Sequence, residues 1–194
     1  MIRTQVRLDG LPNTLAHGHE VTVNFHSDVE NNQVFYTDSN GLELQERMLN
    51  YRPDYEVDIM KGGLNVTANF YPINSAITLE DAATDLKMAV VNDRAQAGSV
   101  LETGRVELMM NRRIFKDDDR GVNQPLNECN AKQVGITVSG EYAIQLTTGK
   151  LQHRAIQKMF DQPQQQFFAF GSNFVASHTA SMLTEAGLGI CYEH

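Results

Sequence analysis

Tryptophan is absent from the 194 residues, cysteine occurs twice and proline five times. Without Trp, the aromatic platform with the largest stacking face is missing, and the six Tyr and nine Phe read mostly as strand interior. Cys129 and Cys191 are too far apart for a CxxC redox pair and too few for a four-ligand zinc site; free thiols are expected ahead of a disulfide. Positive charge is also scarce: 16 Lys and Arg against 24 Asp and Glu leave a net charge of −8. That balance repels phosphate backbones and argues against nucleic acid as a partner. No apolar run approaches the roughly 20 residues that cross a bilayer, and "MIRTQVRLDG" lacks the apolar stretch of a signal peptide. No membrane partner is expected. Phosphate loops, GxSxG and HExxH are missing too, as is any repeat at a solenoid period. Spacing alone locates no acid and nucleophile pair among the many carboxylates.

What is present is an ordinary globular composition, 41% hydrophobic and 21% charged, in a chain long enough to bury roughly 70% of its unfolded surface. Period-two alternation, the mark of a half-buried strand, occurs at Val21, Val23 and Phe25, at Ile77 and Leu79, and at Leu86, Met88 and Val90. It recurs at Val106, Leu108 and Met110, at Val134, Ile136 and Val138, and at Tyr142, Ile144 and Leu146. Turn residues punctuate these runs at "DSNG" (38–41), "KGG" (61–63), "QAGS" (96–99) and "SGE" (139–141). Short strands spaced by such turns predict an all-β sandwich with few short helices. The helices are expected around 155–160 and in "SHTASMLTEAG" (177–187), with "DQPQQQFFAFGSN" (161–173) as a loop. The division that follows is a β-sandwich region over 1–150 and a tail over 151–194.

Three consecutive acids, Asp117, Asp118 and Asp119, lie beside Arg112, Arg113 and Arg120 in "NRRIFKDDDRG". An EF-hand would need alternating acids, a turn glycine and a distal glutamate, which this loop lacks. A solvated turn is the plain reading. The sharper one is a network in which carboxylates grip guanidinium groups and leave Arg120 donors for a ligand. Asp38 and Asn40 in "TDSNG" read as a tight turn. His17 and His19 offer two imidazole nitrogens with no third ligand at suitable spacing, so no metal site is assigned. "NVT" at 65–67 makes Asn65 a glycosylation acceptor wherever the chain enters the secretory pathway.

The segments "FYTDSNGLELQER" (35–47), "NFYPIN" (69–74), "DRAQAGS" (93–99) and "GRVELMMNRRIFKDDDRGVNQPLNE" (104–128) resemble, in order and spacing, the C-terminal β region of glycoside hydrolase family 38 α-mannosidases. Asn111 departs from the histidine or aspartate of many relatives, and little resemblance extends past Glu128. The likeness is to the lysosomal type. It implies part of a galactose mutarotase-like super-sandwich within a retaining, zinc-dependent enzyme that removes terminal α-mannose from N-glycans. By the same resemblance, nucleophile, acid and zinc ligands belong to an N-terminal α/β domain, the natural partner of this chain. The chain by itself is then expected to be a piece of a larger enzyme, inactive alone and binding no zinc. Carried over to this sequence is the arginine of the D-D-x-R-G motif, Arg120, as a sugar-pocket residue oriented by Asp117 and Asp118. A lysosome or digestive vacuole is the implied compartment. The competing reading is a non-catalytic carbohydrate-binding or structural sandwich.

Overall fold

A computed structural model of the chain describes residues 1–12, 17–38, 40–53, 58–59, 61 and 64–164, with 159–164 described by backbone alone. Among these residues, ten strands make two antiparallel sheets. The first sheet has the order β1 (Ile2–Leu8), β10 (Val138–Thr147), β7 (Lys87–Asn92), β6 (Ala76–Glu80), β3 (Val34–Asp38), β4 (Leu44–Met48). The second has β2 (His19–His26), β9 (Arg105–Arg113), β8 (Gln96–Glu102), β5 (Tyr71–Ile73). Two short helices complete the set, α1 (Leu64–Thr67) and α2 (His153–Gln164). This is the all-β sandwich that the alternation predicts.

The core lies where the inward faces of the two sheets meet. Phe35, Ile77, Leu79, Val90 and Tyr142 come from the first sheet, and Tyr71, Ile73, Val100, Val106 and Leu108 from the second. In β9, Val106 and Leu108 are fully buried while Arg105 and Glu107, which alternate with them, are half-exposed, as a pleated strand with one face on the core requires. Aromatic edges join the layers: Phe25 meets Tyr142 at 5.4 Å and Phe35 meets Tyr71 at 5.7 Å, both edge to face. Cutting Leu108 to Ala in such a site costs about 2–5 kcal/mol.

Two expected turns are strands. "QAGS" lies inside β8 because a side chain at position 98 would overlap Ile73 and Leu108, so only glycine lets β8 approach its neighbours. "SGE" lies inside β10, where the Tyr142 ring fills the space a side chain on Gly140 would take. The alternation at 134–138 yields isolated bridges, Pro12 to Val134 and Cys129 to Gly135, before β10 begins. Val134 and Ile136 are exposed there and Gly135 is buried, so the expected strand does not form before Val138. Five strands escaped the alternation: β1, β3, β4, β5 and β8. All but β3 and β8 are outer strands, whose half-exposed faces carry weak apolar signals.

Met1–Gln157 forms one compact unit containing both sheets, and Lys158–His194 a second, of which the helical backbone to Gln164 is described. The α2 backbone runs through Pro163, where a loop was expected. The second expected helix and Cys191 lie outside the described residues.

Candidate functional site

The charged stretch begins where β9 ends. Arg112 and Arg113, adjacent in the strand, point to opposite faces. Arg112 Nε pairs with Glu20 of β2 at 2.7 Å, in a half-exposed cross-strand contact. Arg113 turns inward and is only 3% exposed. Its guanidinium donates to the carbonyl oxygens of Glu128 (2.7 Å) and Asn127 (3.1 Å) and lies 5.4 Å from the Phe115 ring. Ile114 N–H donates to Leu126 O at 3.1 Å. These contacts bring the two ends of the 115–125 loop together. Gly135 is needed alongside, since a side chain there would collide with the Arg113 guanidinium.

Within the loop the acids serve the backbone. Asp117 accepts from Asp119 N–H at 2.9 Å and Asp118 from Arg120 N–H at 3.0 Å, two consecutive Asx turns. Asp119 (φ 57°) and Asn123 (φ 56°) adopt left-handed backbone, which Asp and Asn tolerate better than other non-glycine residues. The expected network of three acids with three arginines does not form: among the described residues, neither Arg120 nor Asp117, Asp118 or Asp119 takes part in an ion pair. The physical reason is local. A backbone amide two residues on is always within reach of an Asp, at little entropic cost, whereas a guanidinium must be fixed across solvent. Asp117 is half-buried, and Asp118, Asp119 and Arg120 are exposed. Asp118 thus fixes the Arg120 backbone, and the side chain extends into solvent.

The other acid-bearing turn is buried. Asp38, 4% exposed, accepts from Asn40 N–H (2.9 Å), from Gly41 N–H and from the Ser75 hydroxyl, and its carbonyl accepts from Asn74 N–H at 2.8 Å. Its oxygens are spent on holding β3, β4 and β6 at one corner, which makes this the turn that its residues predict. His153, at the start of α2, is held below the usual histidine pKa by burial and by Arg154, partly opposed by Asp38. Asn65 is exposed on α1. His17 is exposed and His19 half-buried. Cys129 is an exposed free thiol.

Sequence reasoning placed Arg113 with the acids and missed its inward role, whose signal was its place as the second of two arginines closing an alternating strand. It also missed Arg47 and Arg52, whose guanidinium groups lie 4.5 and 4.3 Å from the Tyr71 ring centre.

A family described as glycosyl hydrolases family 38 C-terminal domain matches residues 1–120. Lysosomal alpha-mannosidase of Bos taurus is 39% identical over 140 residues, 71% of this chain and 13% of that protein. Lysosomal alpha-mannosidase of Homo sapiens is 39% identical over 133 residues, 69% of this chain and 12% of that protein. An alpha-mannosidase of Canavalia ensiformis is 37% identical over 134 residues, 66% of this chain and 13% of that protein. The chain therefore spans about an eighth of the length of these relatives.

Proposed function

Because the chain belongs to the glycosyl hydrolase family 38 C-terminal domains, we propose that it is the β portion of a larger α-mannosidase, with Arg120 extended toward a sugar pocket completed by an N-terminal catalytic domain. The reading rests on one observation: a family match over residues 1–120 that ends at an exposed arginine, on a loop whose ends are tied together. A guanidinium stays charged at any working pH and carries five N–H donors. Arg120 spends none of these side-chain donors on an ion pair among the described residues. They are available to mannose hydroxyls or to a carboxylate beside them. Asp117 and Asp118 orient the residue through its backbone.

The retaining hydrolysis of terminal α-mannose on N-glycans is then the work of the larger enzyme, whose N-terminal domain supplies nucleophile, acid and zinc ligands. On the same reading, this chain has no part in binding zinc. Taken alone it is inactive. Following the two relatives named as lysosomal alpha-mannosidases, the parent enzyme works in a lysosome or digestive vacuole, and Asn65 of its sequon carries a glycan.

Arg120→Ala in the enzyme that contains this region tests the role. Losing a hydrogen bond to a charged group costs about 1.5–3 kcal/mol, roughly a ten- to hundredfold fall in kcat/KM. Unchanged kinetics would leave the loop a packing role only.

A further inference from the structure

β5, an outer strand of the second sheet, lies against β3 of the first, where Tyr71 meets Phe35 edge to face, and β4 is the outer strand next to β3. Arg47 lies opposite Phe35 in the β3–β4 register, and directly paired residues share a sheet face, so this arginine is turned toward the core side. Its guanidinium covers the Tyr71 ring, and Arg52, beyond the end of β4, brings a second guanidinium to the same ring. Beside them is a cavity of about 240 Å³ whose walls include Arg47, Arg52, Tyr71, Tyr51, Met48 and Glu46.

Two half-buried positive charges against one ring repel each other, and the ring quadrupole offsets only part of that. Both have neutral acceptors: Arg47 Nε donates to Thr37 Oγ1 at 3.0 Å, and Arg52 to Ala68 O. Among the described residues neither forms an ion pair. Glu46, the carboxylate on the wall, is the register partner of Tyr36, on the sheet face opposite to Arg47, and the Tyr36 hydroxyl has its pKa raised by burial and by Glu46. Among the described residues, most of the five N–H donors on each guanidinium are therefore unspent at the lip of a cavity smaller than the roughly 300–1,000 Å³ that drug-sized ligands occupy.

We propose that this cavity binds a small tetrahedral oxyanion, the phosphate or sulfate group of a monoester or the free ion, gripped between Arg47 and Arg52 with exposed Tyr51 beside whatever the group is attached to. A carboxylate satisfies one fork, whereas three or four oxygens serve two converging ones. The site is independent of the mannosidase reading, since it uses no residue of the 115–125 loop.

Titration of the 194-residue chain with inorganic phosphate, sulfate, a hexose 6-phosphate and the unphosphorylated hexose tests it, read by the arginine Nε–H signals in 1H–15N NMR spectra. Saturable shifts of the Arg47 and Arg52 signals with the three anions, and none with the plain hexose, are expected. Arg52→Gln and the charge-preserving Arg47→Lys should weaken binding tenfold or more, with folding checked by circular dichroism. Arg7→Gln, on β1 at the far edge, should bind as the unaltered chain does. A hexose 6-phosphate tighter than inorganic phosphate identifies a sugar ester as the ligand, and equal affinity identifies the free ion. No saturable shift at millimolar anion, or equal weakening in Arg7→Gln, overturns the proposal.

Discussion

Two acid-bearing turns, one around Asp38 and one from Asp117 to Arg120, use the same chemistry in opposite surroundings. In both, an Asp carboxylate accepts from the amide two residues on. Asp38 does so buried, and adds Gly41 N–H and the Ser75 hydroxyl, so three donors depend on one side chain. Asp118 does so in water, where a lost bond is replaced by solvent. A run of acids beside an arginine therefore does not announce an ion-pair network. Burial decides whether the carboxylate is a structural keystone or only shapes the backbone that carries an exposed side chain.

Substitution should separate the two sharply. Asp38→Ala strands its three donors and is expected to lower stability by about 3 kcal/mol in urea unfolding, whereas Asp38→Asn keeps one acceptor and loses less. Arg113→Ala comes next. Two carbonyls at the base of the 115–125 loop lose their donor, for about 2 kcal/mol, and trypsin should cut at Lys116 and Arg120 several-fold faster than in the unaltered chain. Asp118→Ala is expected to change stability by no more than about 0.5 kcal/mol, as an exposed site allows. A loss at position 118 comparable to that at 38 would erase the distinction.

The smallest effect concerns acid. The folded-state pKa of His153 is lowered, chiefly by burial, so folding favours its neutral form. Its contribution is fully present above the unfolded value of about 6.5 and declines as pH falls from there toward the folded pKa. In denaturant titrations, His153→Gln should flatten the fall in stability below pH 6.5 while leaving the rest of the profile alone. An unaltered acid slope would remove His153 from the account.

How far the sequence disclosed this depended on whether a signal was local. β6, β7 and β9 alternate cleanly because each has a neighbour on both sides and an inward face filled by Val, Ile, Leu and Met; β10 does so at Tyr142 and Ile144, and β2, though an outer strand, does so through Val23 and Phe25 packed on the core. β8 was hidden because Gly98 looks like a turn residue, and its real cause, crowding by Ile73 and Leu108, exists only once distant strands pack. At the loop, acid content and the Asx-forming pattern were visible. Which arginine goes inward was not, since the pleat places Arg112 on Glu20 and Arg113 beneath the loop only after β2 pairs with β9. The Arg47, Arg52 and Tyr71 cluster was invisible for the same reason: β4 and β5 belong to different sheets.

The claim that matters most is that Arg120 is offered to a sugar completed by another domain. It is tested most directly by steady-state hydrolysis of p-nitrophenyl α-mannoside, comparing the enzyme containing this region, its Arg120→Ala variant, and the 194-residue chain alone. Turnover by the whole enzyme, a fall of ten- to hundredfold in the variant and none from the chain alone are expected. Turnover by the chain alone, or a variant as fast as the unaltered enzyme, would contradict it.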